Sequence, residues 1–529
     1  MSNPQQRETI MKFLPISLLA ISLCTASATY AASGAWTGDT DGNWNVDGNW
    51  TGGSFAGSTA AEAATFNTVA PHATISLNGA EISVNAINFL TGAGPYIFNA
   101  GGGNLYAQSL TIDANVTEKV TQVFNVPINS AGNTAYTNNS STAVLDLAGG
   151  VLNPSEVTDL RLSVNGTGLV KMNGARGSKT KGVSINKSND GKLIFSGSTS
   201  GEVSMGLSGG ILQFDSVDAA RNIKFSFSGG IIGLGAQAFT LSIAFSGGVP
   251  GEIRWSSKAA GDTGFAAYGA DRAVNLGGFS APFKWGAFNS IRDGQGLILG
   301  SADSTHMIDF KNPLDLGEGV RTIVVNDGIN PNNVDGKFSG GVAGSGGLIK
   351  TGPGTLELSN ANPYLGLTDV SEGRLLVSGT IAGGVTVAPE AVLSGSGTIA
   401  GKTVINGSLR PGDGIGTLTI QSDVTWNEGK PWMFELAPAA PSMEAARAKS
   451  DPQDQLNLTG GGSFVKGAGK QWVFDFGGTG APGWYQIVRW TGKTTFAASD
   501  FAATNLSAGL SGAFTLDEAT STLYLKVGR

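Results

Sequence analysis

The side chains that most often carry catalysis are scarce in this sequence. The 529 residues include two histidines, His72 and His306, and one cysteine, Cys24. A Gly-x-Ser-x-Gly pattern surrounds Ser208 at residues 206–210. In hydrolases this pattern forms a nucleophile elbow between a strand and a helix, and it needs a histidine further along the chain. Here a β-type run follows Ser208, so we predict no catalytic residue and no enzyme activity.

A run of oxygen-bearing side chains near the N-terminus could bind calcium. Asp39, Asp41 and Asn43 alternate along the chain, and oxygen ligands at alternate positions suit Ca²⁺. The glycine of the run is at its fourth position rather than its sixth, and no glutamate closes the loop. Asp-Gly and Asn turns explain the same residues. Since His and Cys are also too few for a zinc site of those ligands, we predict no metal and no cofactor.

Tryptophan and tyrosine could stack on sugar rings. The most promising pair is Trp484 and Tyr485, which follow Ala-Pro-Gly. The ten tryptophans concentrate near the two ends of the chain, with three at 36–50 and five at 426–490. Their ordinary role would be to fill the cores of terminal caps. Glycan stacking by Trp484 and Tyr485 is the alternative.

The composition excludes several classes of protein. The chain has 80 glycines without a three-residue period, which excludes collagen, and its 40% hydrophobic content is too high for a typical disordered tail. Charged residues make up 14%, and the formal net charge is −7. An acidic chain is a poor ligand for nucleic acid. These values favour a large, glycine-rich, all-β protein.

The N-terminal residues predict export. Arg7 and Lys12 precede an apolar run at 13–23, and a small-residue cleavage pattern ends at Ala31. This is the layout of a secretory signal peptide, so we assign residues 1–31 to one. No later run of 18 apolar residues suggests a transmembrane segment in the mature chain. The predicted location is secreted or at the cell surface, with the periplasm as the alternative.

Short motifs recur along the chain at similar spacings. Ser-Gly-Thr-Ile-Ala-Gly occurs at 378–383 and again at 396–401, and Ser-Gly-Gly-Ile at 208–211 and 228–231, with a Ser-Gly-Gly-Val variant at 246–249. Runs of alternating apolar and polar residues lie between these glycine turns, which is typical of strands with one buried face. Strands and turns with a period near 18–20 predict a β-solenoid of about 15 coils. An assembly of β-sandwiches is the alternative.

Residues 346–379 carry the most specific pattern. A Gly-Leu-x-Lys-x-Gly-x-Gly-Thr-Leu-x-Leu strand pair is followed by Asn-x-Tyr-x-Gly and Val-x-x-Gly-x-Leu. This closely resembles the autotransporter-associated β-strand repeat of passenger-type proteins. The resemblance implies a right-handed parallel β-helix and supplies no catalytic residue. A faint second copy begins at residues 166–171 but does not continue. The matching residues are Lys350, Gly352, Gly354, Thr355, Tyr364, Gly366, Gly373 and Leu375.

These observations divide the chain and suggest a role. After the signal peptide we expect a Trp-rich cap with the first coils at 32–130, a β-solenoid at 131–429 and a C-terminal β module at 430–529. The last 100 residues are too few for a translocator barrel, so we expect none, and export would use other machinery.

The predicted function is structural or adhesive, without enzyme activity, at the bacterial surface or in the extracellular matrix. Polysaccharides or other surface proteins would be the partners, and nucleic acid would not. Two alternatives remain open. One is a carbohydrate-active β-helix enzyme, either a polysaccharide lyase or a hydrolase, and the other is a glycan-binding module.

Overall fold

The chain folds into a parallel β-helix, as the sequence predicts. The computed structural model describes residues 32–57, 62–216, 223–236, 242–243, 252–255, 261–278, 282–287, 290–330, 334–436, 438–448 and 454–529. The predicted signal peptide at 1–31, including Cys24, and the third Ser-Gly-Gly copy at 246–249 lie outside these residues. The described coils contribute strands to up to three faces, and parallel ladders connect successive coils.

The first face is one continuous parallel ladder that runs almost the whole length of the molecule. At about 4.8 Å between neighbouring strands, its 17 described strands span about 77 Å. Its strands, in ladder order, are Thr74–Ser76, Ile97–Asn99, Thr121–Phe124, Val144–Leu147, Leu169–Met172, Lys192–Phe195, Ile211–Phe214, Gly230–Leu234, Thr263–Ala267, Leu297–Leu299, Arg321–Val325, Leu348–Thr351, Thr368–Val370, Val385–Val387, Thr403–Ile405, Val424–Trp426 and Phe464–Lys466.

In the N-terminal half, the second face is narrow and the third face is wide. The nine-residue strand Asn104–Ile112 pairs with a strand of each face, so the two faces separate at this point. The second-face strands are Ile128–Asn129, Val151–Leu152, Ala175–Arg176 and Thr199–Ser200. The third-face strands are Ala32–Ala35, Ala63–Phe66, Glu81–Phe89, Asn104–Ile112, Gly132–Asn138, Leu160–Asn165, Val183–Lys187, Val203–Leu207, Ile223–Phe227, Glu252–Trp255 and Ser242–Ile243.

In the C-terminal half the proportions change, because the second-face strands lengthen and most third-face strands shorten. The second-face strands are Arg272–Val274, Ile308–Phe310, Gly336–Phe338, Thr355–Leu358, Arg374–Val377, Val392–Gly395, Ser408–Pro411, Trp432–Met433, Trp472–Thr479 and Phe501–Leu506. The third-face strands are Phe283–Lys284, Leu314–Asp315, Val342–Ala343, Ala361–Asn362, Thr380–Ile381, Thr398–Ile399, Thr417–Ile420, Gln455–Leu458, Gly483–Arg489, Ser511–Asp517 and Thr522–Gly528.

The length of a coil varies more than the sequence period suggests. Leu348 pairs with Thr368 and Thr368 with Val385, which are steps of 20 and 17 residues. These coils match the predicted period. By contrast, the step from Thr263 to Leu297 is 34 residues, because long loops leave the faces there. The regular repeat is therefore confined to part of the solenoid.

Both ends of the solenoid are closed by aromatic side chains. At the N-terminus Trp36, Trp44 and Trp50 are buried, and the Trp44 and Trp50 rings pack edge to face at 4.9 Å. At the other end Trp426 stacks on Trp432 at 3.7 Å. The final strand, Thr522–Gly528, pairs antiparallel with both of its neighbours. Edge strands left open would invite pairing with other chains, so these caps protect the ladders.

Helical structure is sparse in the described residues. It comprises the α-helix Met443–Ala448 and two short 3₁₀ segments, Asp47–Asn49 and Ala498–Asp500. Among the described residues, no helix is long and apolar enough to cross a membrane. The core consists of the inward-facing aliphatic and aromatic side chains, stacked coil on coil along the solenoid.

Candidate functional site

The serine of the Gly-x-Ser-x-Gly pattern lies in a strand-to-strand turn. Ser208 directly follows the strand Val203–Leu207 and precedes the strand Ile211–Phe214. Its hydroxyl donates to the carbonyl oxygen of Lys187 at 3.4 Å. Since a nucleophile elbow requires a helix after the serine, Ser208 has a backbone-capping geometry rather than that of a nucleophile.

The acidic run near the N-terminus forms a turn held by amide groups. The Asp41 carboxylate accepts hydrogen bonds from the backbone N–H of Asn43 at 2.8 Å and from the side-chain amide of Asn49 at 2.7 Å. The Asn43 bond is the main reason why the pKa of Asp41 lies below its usual value. The carboxylate oxygens of Asp41 therefore hold the turn through which the chain enters the tryptophan cap.

The two rings of the predicted stacking pair do not form a shared surface. Tyr485 is 1% exposed, and its hydroxyl bonds the backbone of Ala481. Trp484 is half-buried, with the Lys526 ammonium 5.5 Å from its ring. Consecutive residues of a strand point to opposite sides, so these rings face apart. Tyr485 belongs to the core of the C-terminal end and is not available beside Trp484 for stacking on a sugar.

The repeat unit is built around a buried lysine. Lys350 is fully buried in the first-face strand Leu348–Thr351. Its ammonium donates to the carbonyl oxygens of Thr351, Gly352 and Glu372, at 3.2, 2.6 and 3.0 Å. Gly352 and Glu372 lie where the chain bends, and Thr351 is the last residue of its strand. The lysine thus supplies a donor to three backbone acceptors at this corner.

Two carboxylates accompany this lysine. Glu372 accepts the Gly352 N–H at 2.9 Å, and Asp335 accepts the Thr355 N–H at 2.9 Å. Burial lowers the pKa of Lys350 to about 8, although the charges of Glu372 and Asp335 oppose this. Burial also raises the pKa of Asp335. The lysine and both carboxylates thus hydrogen-bond to backbone groups.

The glycines of the motif are required by close contacts. Gly373 has φ +64°, and a Cβ there would lie 2.6 Å from the Lys350 ammonium nitrogen. Gly352 also has a positive φ, +77°, and a Cβ there would lie 2.4 Å from the carbonyl oxygen of Val325. For Gly354 and Gly366 the nearest backbone oxygens would be 2.7 and 2.4 Å away. Larger residues would separate the coils at these positions.

The remaining motif residues pack the interior of the same coil. Tyr364 is fully buried, and its hydroxyl shares a 2.5 Å hydrogen bond with Thr368. Burial raises its pKa. Leu375 is fully buried and pairs with Leu356 one coil back and Leu393 one coil on. The lysine, the glycines, Tyr364 and Leu375 of the motif thus each have a local structural role.

The same arrangement occurs a second time, around Lys187. Lys187 is 1% exposed and donates to the carbonyl oxygens of Ser188 and Asn189. Burial lowers its pKa to about 8, as for Lys350. Asn189 has φ +60°, which matches the left-handed Gly352. In the next coil Gly210 has φ +64°, as Gly373 does, and its Cβ would lie 2.8 Å from the Lys187 nitrogen.

The backbone hydrogen bonds of the two copies also correspond. Ser208 N–H donates to the Lys187 carbonyl at 3.0 Å, and Ser371 N–H donates to that of Lys350 at 3.0 Å. The two copies lie at different corners of the solenoid, since Lys187 ends a third-face strand and Lys350 lies on a first-face strand. The faint copy proposed at 166–171 is not the counterpart, because its Lys171 is exposed. The spacing Lys-x-Asn-x-Gly, with Asn in place of Gly, is the sequence signal that identifies residues 187–191.

Comparisons with known proteins agree with the geometry of the repeat. The Passenger-associated-transport-repeat family matches residues 348–377. A segment of 101 residues is 41% identical to an extracellular serine protease of Serratia marcescens, and covers 19% of this chain and 10% of that protein. A segment of 185 residues is 30% identical to the adhesin BmaC autotransporter of Brucella suis biovar 1 (strain 1330), and covers 34% of this chain and 5% of that protein.

These relatives are matched over a tenth of their length or less. Such partial matches show similarity of sequence and carry no activity over to this chain. Residues 348–377 therefore carry a repeat that matches the Passenger-associated-transport-repeat family, within a chain that folds as a parallel β-helix.

Proposed function

We propose that this protein is an exported, non-enzymatic rod with a structural or adhesive role at the bacterial surface or in the extracellular matrix. The observation that carries the proposal is the unbroken first-face ladder, which joins 17 described strands from Thr74–Ser76 to Phe464–Lys466. Such a ladder resists bending and holds outer side chains at fixed spacings. Similarity to an adhesin over 185 residues supports the same role.

The chemistry of the described residues supports a role without catalysis. The His306 imidazole is hydrogen-bonded to the Thr305 hydroxyl at 2.9 Å, and among the described residues neither histidine ring has a serine partner. Among the described cationic side chains, the buried lysines have the pKa values that are lowered most. Their ammonium groups donate hydrogen bonds to backbone carbonyl oxygens. We therefore propose that this chain shares a passenger scaffold, and not proteolytic activity, with the proteins named serine proteases.

Two measurements on intact cells test this proposal. Antibody labelling of intact cells should detect the protein outside the cell, and deletion of its gene should reduce attachment to surfaces or to neighbouring cells. The purified protein should release no product from a panel of polysaccharides and protein substrates. Confinement to the cytoplasm, or turnover of any of these substrates, would contradict the proposal.

A further inference from the structure

A polar groove crosses the outer side of the third face in the N-terminal half. It has a volume of about 340 Å³ and lies over three neighbouring strands, Val183–Lys187, Val203–Leu207 and Ile223–Phe227, with Arg254 of the next strand at one end. We call it the serine groove. Its outward-facing residues are Ser184, Asn186, Ser204, Gly206, Lys224, Ser226 and Arg254.

The hydrogen-bonding groups of this groove are available to a ligand. The side chains of Ser184, Ser204 and Ser226 make no hydrogen bond to any other described residue, nor does that of Asn186. At some other positions such groups pair between coils. Asn427, for example, donates to Asn406 at 2.7 Å on the first face. The serine groove therefore exposes a row of unused hydroxyl and amide groups.

Gly206 creates the hollow in the middle of the groove. Its φ is not in the left-handed region, so the backbone does not require glycine. A Cβ there would meet only the movable end of the Asn186 side chain, at 2.6 Å. At Gly264, by contrast, a Cβ would lie 1.9 Å from the Ile298 carbonyl oxygen, so that glycine serves packing. A glycine within a strand often marks a site where a ligand approaches closely, and at Gly206 only the movable Asn186 side chain occupies that space.

Cationic side chains flank the row of hydroxyls. Arg254 stands at one end, and Arg161 lies beyond Ser184 in an adjoining cavity of about 160 Å³. Neither arginine forms an ion pair with a described carboxylate. Lys224 pairs with the exposed Glu202 at 2.6 Å, a contact that solvent weakens. Asp159 also borders the smaller cavity.

The strands that carry Arg161 and Arg254 are four steps apart, or about 19 Å. A ligand that uses both must be extended and must present anionic groups at its ends and hydroxyls between them. We propose that the serine groove binds a linear anionic glycan, with its acidic groups on Arg161, Lys224 and Arg254 and its ring hydroxyls on the serines and Asn186. This proposal names a ligand class for the proposed adhesive function. It rests on that function, because the protein must be exposed to such polymers.

Binding to purified protein tests the groove separately from the location of the protein in the cell. The probes are polygalacturonate for carboxylated glycans, heparin for sulfated glycans and dextran as the neutral control. We expect one of the anionic polymers to bind at low salt, dextran not to bind, and binding to weaken as salt rises. If neither anionic polymer binds better than dextran, the proposal is wrong, whatever the result on cells.

Variants then locate the binding surface. The double variant Lys224→Gln/Arg254→Gln should weaken binding at least tenfold, and Gly206→Phe should do so by filling the hollow while it leaves every charge in place. The matched control is Lys171→Gln, an exposed lysine on the first face. Each variant is first checked for an unchanged melting temperature. Equal losses in the control and in the groove variants would overturn the assignment.

Discussion

The ammonium group of Lys350 donates a 3.0 Å hydrogen bond to the carbonyl oxygen of Glu372, a residue of the following coil. The same nitrogen also caps two carbonyls of its own coil, Thr351 and Gly352. One side chain therefore joins two layers of the solenoid at a corner where the ladder is interrupted. The lysine of the repeat therefore acts on the backbone of the solenoid rather than on its surface.

Replacing this lysine should loosen both coils. Lys350→Met keeps the aliphatic stem but leaves one buried and two partly buried carbonyl contacts without their donor, so we expect the free energy of unfolding to fall by about 3 kcal/mol. Urea denaturation followed by circular dichroism measures the change. Lys402→Met is the control, since Lys402 is exposed. Equal effects of the two substitutions would show that the buried ammonium contributes nothing specific.

Gly373 provides the space for that ammonium. Gly373→Ala should be destabilising for two reasons, because alanine disfavours φ +64° and because its Cβ would lie 2.5 Å from the Gly352 carbonyl oxygen and 2.6 Å from the lysine nitrogen. We expect a loss of about 2–4 kcal/mol, of which backbone strain accounts for about 1–2 kcal/mol. Gly294→Ala measures the strain alone, since Gly294 has φ +82° and no atom near its Cβ position. A melting temperature lowered no further by Gly373→Ala than by Gly294→Ala would refute the contact.

The sequence was sufficient to predict the β-helix and the repeat at Lys350, because period-two strands and glycine turns are local patterns. It did not reveal the copy at Lys187, where Asn189 replaces a glycine and still adopts φ +60°. Nor could it reveal that Asp303 reaches back to Lys192 at 2.7 Å, since 111 residues separate the two. The serine groove depends on strands that become neighbours only when the coils stack, so its residues have no common motif.

A second cluster should make stability depend on pH in mildly acidic solution. Asp454 is 1% exposed, and it accepts the N–H groups of Gly416 and Glu435. Burial, with a further contribution from the Glu435 charge, raises the pKa of Asp454 to about 7. A raised pKa contributes stability that is present below the unfolded value of 3.8 and is lost as pH rises through about 7.

We therefore expect the Asp454 contribution to the free energy of unfolding to decrease by up to about 4 kcal/mol between pH 4 and pH 7. Asp454→Asn should remove this contribution, because the amide does not titrate. The comparison is the pH dependence of urea midpoints for the variant and the original protein, measured in parallel. Parallel curves across this range would mean that Asp454 does not titrate there in the folded state.

The buried lysines should produce the opposite slope in alkaline solution. Burial lowers the pKa values of Lys187 and Lys350 to about 8, from 10.5. The unfolded chain then binds more protons than the folded chain between pH 8 and 10, so stability rises with pH there and is lost as pH falls through about 8. Each lysine contributes up to about 3 kcal/mol over the full interval. Buried tyrosines such as Tyr364 oppose this only above pH 10, where unfolded tyrosine ionises.

The useful window is therefore pH 7.5 to 9.5, with stability measured by urea denaturation at constant ionic strength. The double variant Lys187→Met/Lys350→Met should be less stable than the original protein at pH 7.5 and should lose the upward slope. Lys171→Met/Lys402→Met removes two exposed lysines and should keep the slope. Both double variants change the net charge equally, so a slope lost in both would assign the effect to overall charge. A slope kept in both would show that the buried ammonium groups remain protonated throughout.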